Sequence, residues 1–231
     1  MICKWEYLPV ELRLEEVRPY YEILKKKQTA LFFKRVFDIV ITFMMLIVLS
    51  PVFLILAIAI KMDSKGPVFY RQTRITQYCK EFEIHKFRTM FEGADKKGTL
   101  VTINEDCRVT RVGKIIRKCR LDEISQLIDI LNGSMSFVGT RPEVPKYVAT
   151  YTPEMMATLL LPAGITSEAS IRYKDEDRLL NAADDVDKVY VEEVLPAKMK
   201  WNLESIKRFG FFGEILTMFR TAFVVLGKEY E

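Results

Sequence analysis

The 231 residues contain one histidine, His85, and four cysteines, Cys3, Cys79, Cys107 and Cys119, scattered without a CxxC pair. That scarcity excludes a disulfide framework and the usual zinc spacings, and it makes a reducing compartment the default. No Ser-His-Asp set, P-loop or complete dinucleotide fingerprint is present, so the common motifs of soluble enzymes are missing. No internal repeat or low-complexity tract interrupts the chain. From Met1 to Leu31 there are many charges and no apolar core of the signal-peptide type, so the folded part is expected on the cytoplasmic side. Charge of one sign is not in large excess either, since the formal net charge is +4. So mild a balance does not point to nucleic acid, and it suits an anionic lipid surface or phosphorylated substrates.

Apolar residues make up 49% of the sequence, and one stretch takes far more than its share. Ile39 to Ile60 runs 22 residues without a charge, long enough as a straight helix to cross a hydrocarbon core of about 30 Å. Ser50-Pro51 near its middle argues for a break, because proline removes a backbone donor and clashes with the carbonyl four residues back. The Ser50 hydroxyl is a candidate to satisfy the carbonyl so freed. Lys25, Lys26, Lys27, Lys34 and Arg35 precede the stretch, and Lys61 and Lys65 follow it. Basic flanks at both ends suit a helix-break-helix hairpin that enters and leaves one leaflet. On these grounds alone a re-entrant hairpin and a kinked span stand level, and a buried core helix is disfavoured because the segment is apolar on every face.

Four parts follow: an N-terminal amphipathic helix within residues 1–33, a membrane segment at 34–65, a catalytic core at 66–170, and a C-terminal acidic segment with interfacial helices at 171–231. Leu14, Val17, Tyr21 and Leu24 recur at helical spacing and predict a helix over about 11–27, lying on the membrane or capping the domain. Gly66-Pro67 marks a turn, after which Val68 to Tyr70 and Phe82 to Ile84 predict a small hairpin around a polar loop. Helices are expected from Arg111 to Arg117 and from Leu121 to Leu131, the second stopped by Asn132-Gly133. Pro153, Pro162 and Gly164 divide the next stretch into short pieces, and Asp175 to Glu193 reads as acidic and solvated, with some helix. Met199 to Leu226 mixes aromatic and basic residues, as helices in a membrane interface do, or forms a helix pair packed on the domain. The fold class is therefore α+β and mostly helical.

The sharpest local signal for chemistry is Asp122-Glu123 at the start of a predicted helix, with Arg117 and Arg120 just upstream. Such a pair complements a helix dipole; alternatively it supplies a carboxylate kept ionised by a guanidinium and able to act as a nucleophile. Isolated basic residues lie around it: Arg71, Arg74, Lys86, Arg88, Arg108, Arg111, Arg117 and Arg141. Of these, Arg71 and Arg74, Lys86 and Arg88, and Arg141 beside Pro142 stand at strand or turn boundaries, where side chains can converge on a diphosphate. His85 reads as a partly exposed strand residue.

The series Arg108 to Gly113, Ile116-Arg117, Leu121 to Glu123, Gln126-Leu127, Gly133 to Ser136 and Phe137 to Pro142 resembles the bacterial sugar transferase family, the monotopic phosphoglycosyl transferases. Gly66 to Phe69, Gln72, Arg74-Ile75, Lys86 to Met90, Pro162 and Gly164 to Thr166 extend the resemblance, as does Ser50-Pro51 in the apolar segment. It covers roughly residues 34–170, and the ordered series is far more specific than any one motif. The resemblance implies a re-entrant membrane helix broken at Ser50-Pro51, a small cytoplasmic catalytic domain and an Asp122-Glu123 dyad. It also implies Mg2+ held in part by Asp122, a nucleotide-sugar donor, most often a uridine one, and a polyprenyl phosphate acceptor. Asp122 would attack the phosphate that bears the sugar, release a nucleoside monophosphate and carry the phosphosugar. Arg74, Lys86, Arg88, Arg117 and Arg141 would bind substrate phosphates. The expected location is the inner membrane of a bacterium, with the catalytic domain facing the cytoplasm. Ile124-Ser125 stands where the family often has Leu-Pro, and Thr140 where it often has proline, so the turn after the dyad and the phosphate loop are expected to differ in detail. Without the extra spans of the larger members, the chain resembles the small catalytic form.

Overall fold

The computed structural model describes residues 2–94, 107–173 and 185–225. Its dominant element is a helix, here α2, from Gln28 to Asp63, about 54 Å of helical rise. One side of it is buried at Leu31, Lys34, Asp38, Thr42, Leu56 and Ile60, a spacing of three to four residues broken only in the middle third. Elsewhere it exposes large apolar side chains, Phe43, Met44, Ile47, Val48, Leu54 and Ile55 among them. Only 11% of its most apolar window is buried, which separates it from the core helix of a soluble protein. The expected break at Ser50-Pro51 does not interrupt the helix. The Ser50 hydroxyl donates to the Ile47 carbonyl at 2.8 Å, the group that the Pro51 nitrogen leaves without its helical donor.

Both ends of α2 are tied to the same body. Near the start, Lys34 donates to the Val138 carbonyl at 2.8 Å and Arg35 to the Ile130 carbonyl at 2.7 Å. One turn on, Asp38 accepts from the Ser136 hydroxyl at 2.8 Å. At the far end, the Asp63 carboxylate accepts from the Val112 amide at 3.0 Å. There Leu56 and Ile60 also pack against Phe87 and Ile116.

The body itself contains two small sheets. Strands β1 (Phe69–Ile75) and β2 (Glu81–Phe87) pair antiparallel with Tyr70 opposite Lys86, longer than the sequence suggested. Helix α3 (Arg111–Lys118) is started by Thr110, whose hydroxyl accepts from the Gly113 amide. Gly113 lies directly on β2's extension, where an added Cβ would stand 2.0 Å from the Thr89 carbonyl oxygen. The single helix expected over 121–131 is in fact a 3-10 turn, Leu121–Gln126, followed by α4 (Leu127–Asn132). Gly133 ends α4 with φ 90°, as the Asn132-Gly133 stop predicts. Strand β3 (Met135–Val138) then pairs in parallel with β4 (Ala163–Thr166), the two separated by a short helix α5 (Pro145–Val148) and a 3-10 turn at Met155–Leu160.

The N-terminal helix is shorter than expected: two 3-10 turns precede α1 (Arg18–Lys25), because Pro19 is acceptable only in a first helical turn. Its apolar side caps the domain, with Val17, Tyr21 and Leu24 buried against Leu160, Leu203 and Ile206. After α6 (Glu168–Arg172), the chain from 174 to 184, most of the acidic half of the expected 175–193 stretch, lies outside the described residues. A helical run follows: α7 (Val186–Val189), a π-helical turn at Tyr190–Val194, and α8 (Leu195–Lys207). The two readings of the C-terminal region divide between its helices. α8 is packed on the domain, whereas α9 (Phe211–Val225) exposes Phe212, Leu216, Phe219 and Phe223. Leu226 lies outside the described residues.

Candidate active site

The dyad sits where the left-handed residue Arg120, φ 52°, turns the chain out of α3. Ser125 fixes the 3-10 turn to β2: it is fully buried and its hydroxyl donates to the His85 carbonyl at 2.9 Å. A proline there would have no such bond. His85, expected to be partly exposed, is instead buried, with its backbone amide and ring Nδ1 both on the Asp129 carboxylate, at 2.9 and 2.7 Å. Strand β2, the dyad turn and α4 are thus locked together by groups of three elements.

Glu123 is the centre of a charged knot. Lys86 Nζ donates to its Oε1 at 3.0 Å, and Arg141 grips both carboxylate oxygens, Nη1 lying 3.3 Å from Oε2. Arg141 follows the point where the chain after β3 closes on β4 at Gly139 and Gly164. Gly139 N–H donates to Thr166 O and Gly164 N–H to Thr140 O, each at 2.9 Å, and an added Cβ at Gly164 would stand 2.1 Å from the Gly139 nitrogen. Arg74 braces the same loop, donating to the Pro142 carbonyl at 3.0 Å and to Gln72 Oε1 at 2.7 and 3.1 Å.

Two cavities meet at the dyad. A polar cleft of about 540 Å³ is lined by Asp122 together with Arg74, Lys86, Arg88, Arg108 and Arg117. Arg117 is held there by its Nε bond to Thr89 Oγ1 at 2.8 Å. On the other side, an apolar groove of about 580 Å³ runs between α2 and α9, with Ile41, Met45, Phe137, Ile165, Met218 and Phe219 in its walls. Arg120, Glu123 and Arg141 form its polar end. Asp122, Glu123, Arg74, Lys86, Arg88, Arg117 and Arg141 therefore line one cavity or the other, but not in equal roles, whereas Ser50, Pro51 and Arg111 line neither. Arg88 spends its guanidinium on the Ser64 and Lys65 carbonyls at 2.8 and 2.6 Å, closing the C-terminus of α2. Sequence reasoning missed the supporting residues Asp129 and Glu143, the second of which accepts from the Tyr190 hydroxyl at 2.6 Å and stands 3.9 Å from Arg74. Nothing in their local pattern marks them, because each becomes informative only through a partner far along the chain.

Electrostatically the two carboxylates differ. Burial pushes Glu123 up, but Arg141 and Lys86 outweigh it and hold the carboxyl well below the usual range. Burial first, and then the neighbouring Glu123, raise Asp122 above the ordinary aspartate value, while Lys86 and Arg117 oppose the rise. Were Asp122 to act as a nucleophile it would have to be ionised, and the acid limb of kcat/KM would then lie at higher pH than a solvated aspartate would give. Arg117→Met should move that limb further up, because it removes a cation that favours the anion. Glu123→Gln should move it down, because it removes the neighbouring negative charge. pH-rate profiles of the three proteins check the order, and identical limbs would dissociate Asp122 from the titration.

A sequence profile described as bacterial sugar transferase matches residues 29–228. The chain belongs to the bacterial sugar transferase family. Among its relatives, the UDP-N-acetylgalactosamine-undecaprenyl-phosphate N-acetylgalactosaminephosphotransferase of Aeromonas hydrophila is 32% identical over 84% of this chain and 44% of that protein. The UDP-glucose:undecaprenyl-phosphate glucose-1-phosphate transferase of Escherichia coli (strain K12) is 32% identical over 82% of this chain and 39% of its own length. The exopolysaccharide production protein PSS of Rhizobium leguminosarum bv. phaseoli is 44% identical over 47% of this chain and 54% of that protein. The chain thus spans about half or less of the length of these three relatives. The profile begins one residue into α2, so the cap formed by α1 and the turns before it precedes the match, while both cavities lie within it.

Proposed function

We propose that the protein is a phosphoglycosyl transferase that moves a sugar-1-phosphate from a nucleotide-sugar, with a uridine nucleotide expected, to a polyprenyl phosphate. The supporting observation is the division of the dyad, with Asp122 in a basic polar cleft and Glu123 at the end of an apolar groove. A diphosphate needs fixed cations, and a polyprenyl chain needs an apolar trough continuous with lipid. In the first displacement an Asp122 carboxylate oxygen attacks the phosphorus that bears the sugar, and the bond to the nucleoside monophosphate breaks. In the second, a polyprenyl phosphate oxygen attacks the same phosphorus and breaks the bond to Asp122, restoring the carboxylate and leaving a polyprenyl diphosphate sugar. Lys86 and Arg141 keep Glu123 anionic and fixed, and Arg117 and Arg74 supply positive charge to the cleft.

The same reading places magnesium, which the resemblance implies, at Asp122. Glu123 is taken up by two cations, and the described residues contain no group of three His, Cys, Asp or Glu suited to a metal. The ion would therefore be held by Asp122 and completed by donor phosphates, as magnesium sites often are. Bound there, it would neutralise diphosphate charge.

We further propose that α2 is re-entrant and that the domain faces the cytoplasm at a bacterial inner membrane. The attachment of both helix ends to one body supports this, because a bilayer would separate them. The exposed phenylalanines of α9 and the apolar side of α2 would then meet the same leaflet. Incubation with a panel of nucleotide-sugars, magnesium and undecaprenyl phosphate tests the activity. Release of a nucleoside monophosphate together with a polyprenyl diphosphate sugar is expected with at least one donor. A membrane-associated lipid-binding adaptor without catalysis would release none.

A further inference from the structure

Arg120 has two properties that the catalytic reading leaves unexplained. Among the described residues it is one of three non-glycine residues with positive φ, the others being Tyr78 and Cys79, and an ordinary side chain adopts this conformation at a cost. Its backbone N–H is held by the Arg117 carbonyl at 2.9 Å, so the left-handed turn is fixed. Its guanidinium makes no hydrogen bond or ion pair with another described residue, in contrast to Arg74, Arg88 and Arg141 nearby. The turn divides two arginines between the two cavities: Arg117, before it, lines the polar cleft, and Arg120 lines the polar end of the apolar groove.

We propose that Arg120 binds the phosphate of the lipid acceptor, recognising a phosphomonoester carried on a long apolar chain from the groove side of the dyad. The inference rests on the transferase reading, which supplies such a lipid. The groove offers the chain apolar walls from α2 and α9, and at its polar end it offers the head group two guanidiniums and one carboxylate. Arg141 is committed to Glu123, and that carboxylate repels an anion. Arg120 is thus the cation whose donors are open to a phosphate, and a guanidinium matches two phosphate oxygens at once. A strained residue beside a reacting centre is also where conformational cost is commonly tolerated for function.

The test uses the full chain in nanodiscs of neutral lipid, as wild type, Arg120→Gly and Arg120→Lys. Glycine accepts φ 52° without strain, so Arg120→Gly should melt no lower than wild type, which separates loss of the guanidinium from loss of the fold. Farnesyl phosphate and farnesol serve as binding probes that need no turnover. Wild type should bind the phosphate at least about tenfold more tightly than the alcohol, as a charge-assisted contact implies. The lysine variant should keep part of the preference, and the glycine variant should bind the two alike. In turnover, Arg120→Gly should raise KM for undecaprenyl phosphate about tenfold or more, with a much smaller effect on the nucleotide burst from donor alone. A glycine variant that retains the phosphate preference overturns the proposal. So does a KM effect that appears only when anionic phospholipid is added, which would make Arg120 a contact for bulk head groups. If no donor gives a burst with wild type, the transferase reading fails, and the two binding probes still decide whether Arg120 recognises the phosphate.

Discussion

Asp122→Asn is expected to fold, to associate with membranes as wild type does, and to lose at least about three orders of magnitude in turnover, the scale seen when a covalent nucleophile is removed. The amide is nearly isosteric but cannot attack phosphorus. Because Asp122 makes no side-chain ion pair among the described residues, the substitution breaks no contact that holds the fold. With donor alone, wild-type protein should release nucleoside monophosphate in a burst close to one equivalent, and the asparagine variant should release none. Rapid mixing decides between mechanisms. A burst that requires polyprenyl phosphate would replace the covalent intermediate with a single direct displacement, and normal turnover in Asp122→Asn would remove the nucleophile assignment altogether.

Glu123 should respond differently. Glu123→Gln removes the charge that Lys86 and Arg141 compensate, leaving two half-buried cations without their shared carboxylate, so damage to the geometry of both cavities is expected along with any loss of chemistry. This difference was not legible in the sequence, where the two adjacent carboxylates look equivalent. It arises from contacts between residues 37 and 18 positions apart. By contrast, what depends on local pattern was legible: the hairpin after Gly66-Pro67, the helix after Thr110, the Gly133 stop and the long apolar helix. The dyad turn was misread as regular helix because its leucine and isoleucine spacing fits one. Ser125 and Arg120 override that spacing through a side-chain bond to β2 and a left-handed backbone. The apolar groove was invisible for a further reason. Its walls come from residues more than 170 positions apart, such as Ile41 and Met218, and each reads alone as an ordinary helix-face residue.

The second large effect concerns topology. With Cys3, Cys79, Cys107 and Cys119 replaced, single cysteines at the exposed positions Lys26 and Lys65 should both resist a membrane-impermeant thiol reagent applied to intact cells. A spanning α2 would expose one of them. Two features oppose spanning: the proline in the apolar run, and the contacts that fasten Lys34, Arg35 and Asp38 to β3 and α4 at one end and Asp63 to α3 at the other. Replacing Ser50-Pro51 with Leu-Leu removes the first, a gain of roughly 3 kcal/mol in local helix propensity from the proline alone, and leaves the second in place. The variant is expected to shift molecules to the spanning form, in which Lys26→Cys is labelled and Lys65→Cys is not. Activity should fall in proportion to that labelling, because export of the N-terminus tears Lys34 and Asp38 from the strand that leads to Arg141. If the double-leucine protein instead stays unlabelled at Lys26 and fully active, the polar contacts alone hold both ends of the helix on one face, and Pro51 matters only for its shape. If Lys26→Cys is labelled in the wild-type background, α2 crosses the bilayer and the re-entrant reading is wrong.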